Sequence, residues 1–178
     1  MSKIRTGEAF EADVRLTVIG EQLRVGDKAP DFALDALGPG EAAPREITLA
    51  SGAGRVRLLH VVNSLDTPVC HVGAHRFEQL RAAKLPSNVD VYTVSMDLPY
   101  AQARWRGAES VAHEALSSHK SEAFGRDYGV LLKEWRLLQR QLQRRPLRRA
   151  CRTGLRQPRP LPARAPVSWR HRCPFRRA

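Results

Sequence analysis

The chain has 178 residues and an ordinary apolar share of 42%, enough for one domain with a sizeable core. No run approaches the roughly 18 apolar residues that a membrane helix needs. The opening "MSKIRTGEAFEADVRL" has acidic residues early and lacks the apolar centre of a secretory signal, so a cytoplasmic protein is expected.

The net charge of +12 would normally point to nucleic acid or an anionic surface. Its placement argues otherwise. Thirteen of the 30 basic residues are arginines within 139–178, a stretch without lysine or acidic residue. Residues 1–138 therefore hold 17 basic and 18 acidic residues, a net of −1. Cys70, Cys151 and Cys173 are too few for a secreted disulfide framework, and one isolated cysteine in the body makes a catalytic thiol worth testing.

In chain order, "VRLTVIGEQLRVG" holds two β-rich runs around Gly20 and reads as a hairpin. "GDKAPDFAL" turns into a short extended segment, because Pro30 bars a helical residue 29. "DALGPGEAAPRE" is loop. Residues 56–63, "VRLLHVVN", have the length and branching of a buried strand. After a turn, Pro68 opens a helix whose expected stripe is Val69, Val72, Phe77, Leu80 and Ala83. "VDVYTVSMD" at 89–97 reads as a second strand, which gives the strand–helix–strand unit of a parallel sheet. Short helices are expected in "YAQARWRGAES" and in "HKSEAFGRDYGVLL", the latter ending near 128–129. Beyond Leu138 there is no periodicity, no acidic partner and six prolines, so 141–178 is expected to be a disordered tail.

Cys70 follows a strand and lies in the first turn of a helix, where unpaired N–H groups and the helix dipole stabilise a thiolate. Thr67 precedes it by three residues and can aim its hydroxyl at the sulfur or at a bound oxygen. The alternative is a small buried residue without chemistry. Cys70, His71 and His75 do not match the usual zinc spacings, so the histidines read as exposed helix residues and no metal or other cofactor is expected. His75 is poorly placed as a base for Cys70, because five residues along a helix do not share a face.

The segments "VGDKAPDFAL", "NSLDTPVC", "VYTVSMDLPYAQARWRGAE" and "SEAFGRDYGVLLKEWRLLQR" together resemble bacterial thiol peroxidase, an atypical two-cysteine peroxiredoxin, over roughly 10–140. The resemblance implies an α/β, thioredoxin-like fold with an added N-terminal hairpin. It implies a peroxidatic Cys70 that attacks the peroxide O–O bond and becomes a sulfenic acid. Thr67 would hydrogen-bond the thiolate or the peroxide. Arg140 aligns with an arginine that the family holds beside the thiolate, where its charge would stabilise the developing negative oxygen. Its other reading is simply the first arginine of the tail. By the same resemblance the partners are a peroxide substrate, thioredoxin or another thiol reductant, and a second copy in a homodimer. No membrane partner is expected.

Three positions depart from the family pattern. Asn63 stands where the motif has proline. Arg106 stands where the resolving cysteine is expected, so the usual intramolecular disulfide cannot form and an external thiol is needed. After Arg140, "QLQRRPLRRACRTG" replaces an apolar strand, a second strand and a helix. An acid-free Arg/Pro/Ala tail is what a frameshift near 139–143 of a GC-rich gene would produce. Losing those core elements removes burial on the scale of a domain's whole stability, about 5–15 kcal/mol. The expected organisation is an incomplete peroxiredoxin domain at 1–140 followed by the tail. The leading reading is a thiol-dependent peroxidase. The alternatives are an inactive, truncated remnant and a protein whose basic tail makes non-specific, salt-sensitive phosphate contacts.

Overall fold

The computed structural model describes residues 3–11 and 13–143. The tail from residue 144 onward, its expected disorder, and Cys151 and Cys173 lie outside the described residues.

Two sheets organise the described chain. β1 (Ile4–Glu11) and β2 (Val14–Ile19) form an antiparallel hairpin. Its sheet is completed by two-residue strands β8 (Leu131–Leu132) and β9 (Leu137–Leu138), in the order β1-β2-β8-β9. The hairpin expected around Gly20 does not form: β2 pairs with the earlier β1, Gly20 is the exit of that hairpin, and residues 21–24 make no strand. The Arg5 guanidinium donates to the Gly20 carbonyl at 2.9 Å and fastens that exit.

The second sheet has six strands. They are β3 (Ala33–Ala36), β4 (Arg45–Thr48), β5 (Val56–Val61), β6 (Val89–Ser95), β7 (Glu114–Ser117) and β10 (Gln141–Gln143), in the order β10-β5-β6-β7-β3-β4. β5 and β6 are parallel, as the strand–helix–strand reading requires, and β7 continues the parallel run. β10 pairs antiparallel with β5, Gln141 opposite Val61, so the tail expected to be disordered from 141 instead begins as sheet through residue 143, because the open edge of β5 offers its backbone a partner.

Helices cover both faces. α1 (Pro68–Lys84) and α2 (Pro99–Ala108) pack on one face, where Val62, Leu65, Cys70, Ala74, Trp105, Val111 and Ala115 form a cluster. α3 (Ala123–Asp127) and the segment after it cover the other. There Phe124, Tyr128, Val130 and Leu138 meet Leu59, Val61, Val94 and Leu116 of the strands. Alternation along β5 produces this division: Leu59 and Val61 face α3, while His60 and Val62 face α1.

The phase of α1 differs from the expected stripe. Val69 is 61% exposed and Val72 48%, whereas Cys70 and Ala74 are buried. Gly73 explains the rotation, since a Cβ there would come within 3.2 Å of the His60 ring. The helix rests on the sheet through its smallest residues and turns its valines outward.

Candidate active site

Cys70 is the third residue of α1, 4% exposed, in the cluster between the end of β5 and α2. Among the described residues no hydrogen-bond partner reaches its Sγ. Thr67 occupies the helix N-cap without capping it. Its Oγ1 donates instead to the Ser64 carbonyl at 2.9 Å, so the oxygen keeps its lone pairs for accepting. Pro68 has no N–H, and the His71 N–H is already bonded to the Thr67 carbonyl at 2.9 Å. The backbone amides left without a side-chain cap in this turn are therefore those of Val69 and Cys70.

The turn holding Thr67 is fixed from below. The Asp97 carboxylate accepts from the Leu65 N–H at 2.9 Å and from Ser95 Oγ at 2.8 Å. Gln102 Nε2 donates to Ser95 Oγ at 2.9 Å and to the Leu116 carbonyl at 3.1 Å. The segment "MDLPYAQ" thus supplies an acceptor for the Cys70 turn and a brace from α2. The role of Asp97 is not legible in that segment's own pattern, because its partner Leu65 lies 32 residues away. Asn63 is half-buried at the end of β5.

Arg140 immediately precedes β10. One residue beyond the β10–β5 ladder it comes opposite Val62, which belongs to the Cys70 cluster. Its side chain is exposed, and its charge acts on His60, one residue before Val61 in β5. The structure thus brings Arg140 to the strand end that leads into the Cys70 turn, while its described interaction is with His60 rather than with the thiol.

Arg106 lies in α2, 7% exposed. Its Nη2 donates to the Ala112 carbonyl at 2.9 Å, and its Nε is buried without a described partner. Burial pulls the guanidinium below its ordinary value, with Glu114 opposing. A buried cation thus stands where the resolving thiol was sought.

A polar chain runs beneath α1. His60 Nδ1 lies 3.4 Å from Thr93 Oγ1, which lies 2.9 Å from His113 Nε2, whose Nδ1 meets Glu78 Oε2 at 2.8 Å. Burial, then the charges of His113 and Arg140, lower His60 to about 4, so it is neutral at pH 7. Burial opposes ionisation of Glu78, yet hydrogen bonds from Arg81 and His113 hold it at about 2.

His71 and His75 are half-buried rather than exposed. The Trp105 indole N–H donates to His71 Nδ1 at 3.2 Å, and Glu109 Oε2 lies 3.0 Å from His75 Nε2. His75 thus turns toward α2, in accord with its poor placement as a base for Cys70.

Residues 25–149 match the AhpC/TSA family. The chain belongs to that family. It is 44% identical to the thiol peroxidase of Bacillus subtilis (strain 168) over 126 residues, 70% of this chain and 71% of the relative. Among solved structures, a peroxiredoxin-like protein from Aquifex aeolicus is 31% identical with a TM-score of 0.61, covering 71% of each chain. A thiol peroxidase from Chromobacterium violaceum is 25% identical with a TM-score of 0.57, covering 70% of this chain and 69% of its own. The AhpC/TSA match and these neighbours agree with the mixed α/β, thioredoxin-like architecture. No helix among the described residues is long and apolar enough to cross a membrane.

Proposed function

We propose that the chain is a thiol-dependent peroxidase of the peroxiredoxin type, acting on hydrogen peroxide and organic hydroperoxides. The supporting observation is the placement of Cys70 in the first turn of α1, whose N-cap Thr67 leaves that turn uncapped and donates its hydroxyl to the Ser64 carbonyl. The Cys70 thiolate attacks one peroxide oxygen. The O–O bond breaks, the sulfur is oxidised to sulfenic acid, and the other oxygen leaves as water or alcohol after taking a proton. Thr67 Oγ1 accepts the peroxide O–H, and the Val69 and Cys70 amides donate to the oxygen that gains charge. Arg140 adds positive charge from the β10 edge.

With Arg106 at the resolving position, an external thiol attacks the sulfenic sulfur and releases water. A second thiol then frees Cys70 as the mixed disulfide is reduced. Thioredoxin or another cytoplasmic thiol fills this role, and the working unit is a homodimer. On this reading the peroxiredoxin domain is 1–140 extended by β10 at 141–143, and the remainder is a frameshifted Arg/Pro-rich tail. Reading the gene in the other frames past Leu138 tests the tail: one must encode a strand, a turn, a strand and a helix.

The catalytic test is peroxide-dependent sulfenylation, read by a dimedone-type probe with mass spectrometry, together with peroxide consumption fed by dithiothreitol or thioredoxin. Modification at Cys70, with both signals lost in Cys70→Ser, is expected. Folded protein that consumes no peroxide with either donor would overturn the reading.

A further inference from the structure

We propose that His71, His75 and Glu109 form a zinc site that ties the start of α1 to the end of α2. The two histidines stand four residues apart and so share one helix face. Glu109 is the C-cap of α2, fixed by its own N–H bonding to the Trp105 carbonyl at 2.9 Å. One ligand atom from each residue lies within 4.8 Å of the other two. Glu109 Oε2 is 3.0 Å from His75 Nε2 and 3.7 Å from His71 Nε2. Tetrahedral zinc, with ligands at about 2.0–2.1 Å, sets neighbouring ligand atoms about 3.4 Å apart, between those two distances. Two imidazoles and a carboxylate are a recognised zinc donor set that leaves a fourth position for water. The sequence separates Glu109 from the histidine pair by 34 residues, which hides the set from spacing rules.

Capture of zinc changes Trp105. An indole N–H only donates, so the present contact requires a lone pair on His71 Nδ1 and places the ring proton of neutral His71 on Nε2. Coordination through Nε2 moves that proton to Nδ1, where it faces the indole N–H, and the contact breaks. The net proton count is unchanged, because Nε2 loses the proton that Nδ1 gains. Trp105 packs in the same cluster as Cys70, so zinc repositions a neighbour of the thiol without using Cys70 as a ligand.

The test is calorimetric titration of untagged, reduced, full-length protein with Zn²⁺, alongside His75→Ala and Glu109→Gln, with folding checked by circular dichroism. One Zn²⁺ per chain is expected, weakened at least about tenfold in each variant. Tryptophan fluorescence should change on zinc addition in the parent and not in Trp105→Phe. Absence of binding, or binding equal in the parent and both variants, overturns the proposal. The latter result would place the metal on thiols or on histidines elsewhere.

Discussion

His60 makes the stability of this fold depend on pH in a window that the structure defines. The imidazole is buried between β5 and α1, its ring 4.4 Å from the Phe77 ring, with His113 and Arg140 as nearby positive or chargeable groups. Its value falls from 6.5 to about 4 on folding, so the unfolded chain binds the proton more readily. A depressed value means the contribution is complete above pH 6.5 and lost as pH falls toward 4. Between pH 7.5 and 5 one such group costs about 2 kcal/mol, and about 3 kcal/mol once pH is below 4. His113 is also lowered, mainly by burial, and adds in the same direction. Glu78, held at about 2, loses its contribution only as pH falls from about 4.5 toward 2, below this window. Urea unfolding at both pH values should show the midpoint falling by about 1 M, given slopes of 1–3 kcal/mol per molar. His60→Phe should flatten that dependence, whatever it does to absolute stability. A midpoint unchanged between pH 7.5 and 5, or a dependence unaltered in His60→Phe, refutes the reasoning.

Asp97→Ala removes the acceptor for the Leu65 N–H and Ser95 Oγ, charge-assisted bonds worth about 1.5–3 kcal/mol each; peroxide consumption should fall about tenfold or more, with far-ultraviolet dichroism retained. Thr67→Val should lower the second-order rate with peroxide by at least about tenfold, and Thr67→Ser should restore most of it, since the loss is that of one hydroxyl acceptor; stopped-flow oxidation of Cys70 is the measurement. Gly129→Ala should destabilise the fold by about 2 kcal/mol or more in urea titration, because φ is +62° and a Cβ would collide with the Glu21 carbonyl. Equal stability there would mean that the 128–130 turn relaxes freely.

Local patterns made part of this fold legible and left another part hidden. The apolar run at 56–61 and the proline at 68 each carry their own signal, and both elements form where that signal points. β7, β8 and β9 have two to four residues each, too short for periodicity to speak. They exist because neighbours already in place offer unpaired backbone edges. The phase of α1 failed for a related reason. Valines at 69 and 72 attract the eye as core, yet close approach to His60 admits only the face carrying Cys70, Gly73 and Ala74. The candidate site divides the same way. Cys70 and Thr67 are legible because a strand end, a proline and a cysteine stand within a few residues of one another. Asp97 and Glu109 are not, since their partners lie 32 and 34 residues away and only the parallel β5–α1–β6 crossover brings them back.

That crossover also separates the nucleophile from the irregular end of the chain. β5, α1, β6 and α2, with the turns between them, span 56–108, and this segment supplies Cys70, Thr67, Asp97 and the α1–α2 contact. Arg140 alone among the proposed catalytic residues depends on the chain beyond Leu138. It adjoins β10, a three-residue strand that among the described residues lies at the edge of the sheet and pairs with β5 alone. Edge pairs of that length open at low free-energy cost compared with the whole fold. Loss of β10 would therefore remove the arginine's charge while leaving the thiol, its turn and its brace in place. The expected signature in a chain ending after Gln139 is slowed sulfenylation of Cys70, not its absence. Complete loss of sulfenylation in that truncated chain, with its dichroism intact, would show that the site cannot work without the edge strand.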